Sequence, residues 1–141
     1  MLDRDTVTAL AEKAGGAVYI FEEDAFVQNY RMLIGAFCTL YPSYRLSYSY
    51  KTNYTPYICR IVKELGGYAE VVSDMEYELA RKLGYSSDKI VYNGPTKGAA
   101  LEEHVLSGGI CNLDNFTEAA RIRRIAELNP ERELKIGLRI N

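Results

Sequence analysis

Lys51 is the residue of this sequence best suited to covalent chemistry. It lies in the run Ser47-Tyr48-Ser49-Tyr50-Lys51-Thr52-Asn53, where serines and tyrosines alternate ahead of it. A lysine at a strand end, behind tyrosines, is a candidate for partial desolvation. Desolvation lowers a lysine's pKa, and a neutral amine condenses with an aldehyde to a Schiff base. A solvated loop lysine would do nothing of the kind, and position and composition alone leave both readings open. Other chemistries have thinner support. The one histidine, His104, lies among charged neighbours in Glu102-Glu103-His104 and reads as a surface residue; a His-rich metal site is excluded. Cys38, Cys59 and Cys111 are odd in number and form no C-x-x-C, so neither a disulfide framework nor a zinc site is expected. Reduced thiols in a cytoplasmic protein are the expectation, with no metal. Gly94-Pro95-Thr96-Lys97-Gly98 lacks the spacing of a phosphate loop and reads as a turn. No G-x-G-x-x-G occurs, so a dinucleotide site has no support. Arg121, Arg123 and Arg124, flanked by Glu118 and Glu127, read as a solvated helix face with ion pairs.

The elements that must position Lys51 follow from periodicity. A short helix is expected over 1–15, then a strand over the apolar run 17–21. From Asp24, a possible N-cap, Phe26, Tyr30, Leu33 and Phe37 share one helical face, with Pro42 just past the end. A strand is expected over 44–50. Pro56 suits the first turn of a helix closed by Gly66-Gly67. The alternation then repeats: a strand over 68–72, a helix opened by the Ser73/Glu76 capping box, a strand over 90–92, and a helix over about 99–106. A strand over 110–113, a helix from Asp114 or Asn115 to Leu128, and a strand over 134–140 complete it. Lys51, Val72, Tyr92, Leu113 and Arg139, each at or near a strand end, are separated by 21, 20, 21 and 26 residues. Such spacing means successive βα units with parallel strands. Two α/β architectures fit: a small doubly wound sheet, or part of a (β/α)8 barrel, which normally needs about 250 residues. The sequence stops as a strand ends, before its helix, which favours the barrel piece. In either case function is expected at the C-terminal ends of the strands.

Composition bounds the partners. The 141 residues are 48% apolar and 26% charged, values of an ordinary globular domain. Lys plus Arg is 17 against 19 Asp plus Glu, a net charge of −2, which argues against broad nucleic-acid binding. No apolar run approaches the roughly 20 residues of a membrane span. The acidic start, Met1-Leu2-Asp3-Arg4-Asp5, is unlike a secretory signal.

Four segments in order carry a family resemblance. Tyr48-Ser49-Tyr50-Lys51-Thr52-Asn53 resembles the Y-A-x-K-A-N signature of the fold-type III pyridoxal-phosphate decarboxylases, whose members act on diaminopimelate, ornithine and arginine. The stretch from Gly66 to Glu76 is similar to that family's G-x-G-x-D-V-x-S-x-x-E, and Ile90 to Lys97 to its I-x-x-x-G-x-x-K. Leu138-Arg139-Ile140-Asn141 is similar to its L-R-x-N strand. The resemblance spans nearly the whole chain and implies an alanine-racemase-like barrel with about five parallel strands present. Residues 1–141 would be the N-terminal part of the cofactor-binding barrel, without its remainder and the C-terminal β domain. It implies pyridoxal 5'-phosphate as cofactor, with Lys51 the Schiff-base lysine that also moves protons after carbon dioxide leaves. Arg139 matches an arginine that approaches the cofactor's phenolic oxygen. Glu70 stands where the family has an aspartate near lysine and cofactor, one methylene longer. The reaction implied for the intact enzyme is decarboxylation of a diamino acid, diaminopimelate to lysine the leading case. These residues alone are expected to be inactive. The alternatives are an amino-acid racemase, or a silent binding piece. The expected partners are a small amino-acid substrate and a second copy of the chain, as a homodimer or by self-association through open sheet edges.

Overall fold

A computed structural model describes residues 2–140. Asn141, which completes the Leu138-Arg139-Ile140-Asn141 motif, lies outside the described residues. The chain forms two units, Met1–Leu40 and Tyr41–Asn141.

The first unit holds two helices. α1 (Arg4–Ala14) starts where Asp3 accepts the Thr6 backbone N–H at 2.8 Å and ends at Gly15 in the left-handed conformation. α2 (Glu23–Cys38) begins one residue before the expected cap, and Glu22 precedes it without a side-chain cap bond. The expected strand over 17–21 does not form: these residues pair with no strand, and Tyr19 is fully exposed. A short apolar run becomes a strand only when a neighbour supplies ladder hydrogen bonds.

The second unit alternates strand and helix. Its elements are β1 (Ser47–Ser49), α3 (Pro56–Glu64), β2 (Tyr68–Val71), α4 (Asp74–Lys82), β3 (Ile90–Tyr92), α5 (Ala100–Leu106), β4 (Ile110–Leu113), α6 (Phe116–Leu128) and β5 (Lys135–Leu138). β1 and β5 are shorter than the runs 44–50 and 134–140 that suggested them. All strands pair in parallel, in the order β1-β2-β3-β4-β5. That sequential order is the order of a barrel arc. A doubly wound sheet reverses direction at a switch point and is excluded.

Strand alternation divides the sheet into two faces. Ala69, Val71, Ile90, Tyr92 and Cys111 are buried against the helices. Tyr77 and Ala80 of α4 join one core cluster; Leu101 and Val105 of α5 join another with Ile122 and Ile125 of α6. Tyr68, Glu70, Val91, Ile110 and Asn112 occupy the other face, half-buried. The capping box at α4 is present. Ser73 Oγ accepts the Glu76 N–H at 3.3 Å, while Glu76 Oε2 reaches back one residue further, to the Val72 N–H at 2.8 Å.

Three polar residues, His104, Glu118 and Arg121, depart from the sequence reading. His104 is fully buried, not on the surface. Its helix turns it inward, where Nε2 lies 3.0 Å from the Ile110 carbonyl and the ring meets Tyr77 and Tyr92 edge to face. Lys97 and Glu118 form a buried ion pair at 2.8 Å between the loop after β3 and α6. Lys97 Nζ also donates to the Gly94 carbonyl at 2.6 Å, and Glu118 Oε2 accepts the Asp114 N–H at 3.0 Å. Arg121 leaves the solvated face and donates to the carbonyls of Lys97 and Gly98 at 3.1 and 2.8 Å. Arg123 and Glu127, paired at 2.8 Å, and the exposed Arg124 behave as expected of that cluster.

Two expected outcomes concern these buried groups. Burial holds the His104 imidazole below its ordinary value of 6.5. Below that value the unfolded chain takes up a proton that the folded chain resists, so stability falls as pH falls, by at most about 1.4 kcal/mol per pH unit. Denaturant midpoints at about pH 7.5 and about pH 5.5 measure this slope, and His104→Gln flattens it. Glu118→Ala leaves the Lys97 ammonium buried without its counter-charge and destabilises by about 3–5 kcal/mol. Combining Lys97→Met with Glu118→Leu recovers part of that loss, read by the same denaturation.

Candidate functional site

A group of polar side chains gathers at the C-terminal ends of the five strands. Ser49 pairs in register with Glu70, and Glu70 with Val91, so Ser49 and Glu70 share the face opposite the helices. Lys51 follows Ser49 by two residues. Tyr48 packs against the helix-side core and Tyr50 is buried within it. The tyrosines behind the lysine are thus part of the core, and the alternate positions carry the polar groups.

Beyond β3 the chain must turn sharply. Gly94 has φ +90°, and a Cβ there would lie 2.8 Å from the Val72 carbonyl oxygen. Only glycine meets both demands. The turn presents Asn93 on the half-buried face, where its Nδ2 donates to Glu70 Oε1 at 2.9 Å. Asn112 of β4 donates through its own Nδ2 to Asn93 Oδ1 at 2.6 Å. Arg139 follows β5; its N–H continues the ladder to the Leu113 carbonyl at 2.9 Å. Its guanidinium Nη1 stands 3.3 Å from Asp114 Oδ1, as an ion pair without hydrogen-bond geometry.

These side chains surround one cavity of about 380 Å³. Lys51, Glu70 and Arg139, the three residues singled out from the sequence, all line it, with Ser49, Asn93 and Asn112. Val72 and Leu138 supply its apolar part. Arg139 also borders a second, mostly apolar cavity of about 440 Å³ with Phe116 and Ile140. Lys51 is exposed, so position within the cavity, not burial behind tyrosines, is what distinguishes it. Asn93 and Asn112 were not singled out from the sequence, though a signal existed. Asn112 follows Ile110 by two residues, as Glu70 follows Tyr68, which puts both on one face.

The arrangement combines one primary amine, one guanidinium, one carboxylate and two carboxamides at the mouth of parallel strands. Such a set can hold a small, anionic, carbonyl-bearing molecule: the amine by covalent attachment, the guanidinium by charge, the carboxamides by hydrogen bonds. Among the described residues no group of His, Cys, Asp and Glu could hold a metal ion.

Comparison with known proteins agrees with this geometry. Residues 29–141 match the family model described as "Pyridoxal-dependent decarboxylase, pyridoxal binding domain". A diaminopimelate decarboxylase of Methanothermobacter thermautotrophicus is 30% identical over 133 residues, covering 94% of this chain and 30% of that protein. An L-glutamyl-[BtrI acyl-carrier protein] decarboxylase of Niallia circulans is 29% identical, covering 99% of this chain and 32% of that protein. The crystal structure of a diaminopimelate decarboxylase from M. jannaschii superposes with a TM-score of 0.78 at 30% identity, over 94% of this chain and 32% of that one. The chain thus spans about a third of the length of the proteins it matches. Its sequential parallel strands, its strand-end lysine and this match lead to one conclusion: the chain belongs to the pyridoxal-dependent decarboxylases and carries sequence of their pyridoxal-binding domain.

Proposed function

We propose that the intact protein is a pyridoxal-phosphate-dependent amino-acid decarboxylase, with diaminopimelate the leading substrate. Residues 1–141 are then the N-terminal part of its cofactor-binding barrel, with further barrel strands and a β domain not contained in this sequence. The observation that carries the reading is the convergence of Lys51, Glu70 and Arg139 on one cavity of about 380 Å³, within the usual range for a small-molecule site.

The residues fit pyridoxal phosphate chemically. Lys51 offers the one primary amine of the cavity and would hold the cofactor's aldehyde carbon through Nζ. Arg139 carries a permanent charge toward an anionic ring oxygen, with Asp114 restraining its orientation. Glu70 places a carboxylate in the same cavity, where it balances the two cations. Bound there, pyridoxal phosphate would supply the electron sink that lets an α-carboxylate leave as carbon dioxide. Lys51 Nζ is the group of this chain that would carry a proton to the carbon that loses its carboxylate. A decarboxylase is favoured over a racemase by the family matched.

The open edges of β1 and β5, together with exposed Leu138 and Ile140, support self-association. A cytoplasmic location is part of the same proposal. Its support is that Cys38, Cys59 and Cys111 form no disulfide, and no helix among the described residues is long and apolar enough to cross a membrane.

The test is covalent capture. The chain is mixed with pyridoxal phosphate and reduced with borohydride, and the adduct is mapped by mass spectrometry. Lys51 is expected to dominate, and the signal to vanish in Lys51→Ala. Lys97, buried in its ion pair, is expected to stay unlabelled. Labelling spread evenly over Lys13, Lys63 and Lys82 would overturn the assignment. Carbon dioxide release by the intact enzyme from diaminopimelate, lysine, ornithine, arginine and a carrier-bound glutamyl group identifies the substrate. The 141-residue chain alone is expected to release none.

A further inference from the structure

We propose that Asn93 and Asn112 are positioning residues that hold the Glu70 carboxylate through a one-way amide chain, and that Gly137 is bare to accommodate its far end. The proposal deepens the reading of the cavity given above and rests on it for the cofactor. It rests on the geometry alone for the chain itself.

Direction follows from donor chemistry. An ionised carboxylate only accepts hydrogen bonds, so Asn93 must turn its NH2 toward Glu70. That choice leaves the Asn93 carbonyl facing β4, where it needs a donor. Asn112 supplies one, at 2.6 Å. With its NH2 committed to Asn93, the Asn112 carbonyl oxygen falls on β5, where Gly137 is its register partner. A Cβ on Gly137 would collide with that oxygen. Four consecutive strands or their ends thus contribute one residue each, and the charge at one end fixes the orientation of every amide.

The chain also accounts for the length of the Glu70 side chain. A shorter acid would stop a methylene short of Asn93. Glu70 reaches across to the end of β3, and its Oε1 is held there at 2.9 Å. Glu70 itself lines the cavity. Hydrogen bonds to a charged group in a partly dry site are worth more than neutral ones, so the tether restrains the carboxylate strongly.

The test uses the full chain and two readouts. Side-chain amide NMR resonances of Asn93 and Asn112 are followed while the carboxylates are titrated. Both are expected to move together with one midpoint, and Glu70→Gln is expected to abolish the movement. Asn112→Asp keeps size but replaces the donor by an acceptor, so the Asn93 amide turns its NH2 toward β4 and away from Glu70. Asn93 then loses its coupled movement, and capture of pyridoxal phosphate at Lys51 falls about tenfold, the order expected for one hydrogen bond to a charged group. Gly137→Ala acts the same way through Asn112. Asn93→Leu equals either variant, and adding Asn112→Asp to it lowers capture no further. Should Gly137→Ala fail to fold, Asn112→Asp and Asn93→Leu decide. Wild-type capture in Asn112→Asp, or an Asn93 resonance that titrates unchanged there, overturns the proposal. If the wild-type chain captures no cofactor at Lys51, the cofactor reading fails separately. The amide resonances then decide the chain, coupled movement supporting it and independent movement overturning it.

Discussion

Parallel pairing in chain order constrains where every side chain of the site can stand. Each strand of the second unit is hydrogen-bonded to the one that precedes it in sequence, and all run the same way. The strand ends therefore meet on one rim, and the period-two alternation of each strand is locked in step with its neighbour. A slip of one residue between β2 and β3 would send Glu70 into the helix-packed core and Val71 into the cavity. The burial of Ala69, Val71, Ile90 and Tyr92 against the helices opposes that slip, so the apolar core and the polar cavity are two faces of a single register.

Behind the rim, charged groups tie the connecting loops together. Asp74 accepts the Tyr92 hydroxyl at 2.6 Å and the Ala99 N–H at 2.8 Å, joining the start of α4 to the end of β3 and to the residue before α5. Lys97 and Glu118 join that same loop to α6. A buried ion pair adds little net stability compared with an apolar pair, yet removing one partner is severe. Its effect is to fix geometry. Gly94 lies between Asn93 and this clamp, and Lys97 holds its carbonyl. The turn that presents Asn93 is thus restrained on both sides.

The alternation of the second unit was legible because its signals are local and repeated. The Ser73/Glu76 cap, Pro56 opening α3 and the apolar pairs in β2, β3 and β4 each act within a few residues. The run 17–21 misled because a strand needs a partner, which composition does not reveal. His104 and Glu118 were misread for the opposite reason. Charged residues close in sequence, Glu102 and Glu103 for the one and Arg121 for the other, point to solvent, while their neighbours in space are Tyr77, Tyr92, Ile110 and Lys97. Lys51, Glu70 and Arg139 were legible because strand ends in such folds carry function. Asn93 and Asn112 were not, since an asparagine in a turn or short strand has ordinary local explanations. Their meaning arises only when three strands are set side by side.

The amide row runs across the strands rather than along any one of them, with a different strand or strand end supplying each member. The opposite rim, where the chain leaves each helix and enters the next strand around residues 66, 84 and 108, contributes nothing to it. Insertions or deletions at those turns would alter the length of the connections without shifting any member of the row against its neighbours. The length of those connections is therefore separable from the geometry of the row, whereas a change in one member of the row is felt by the next.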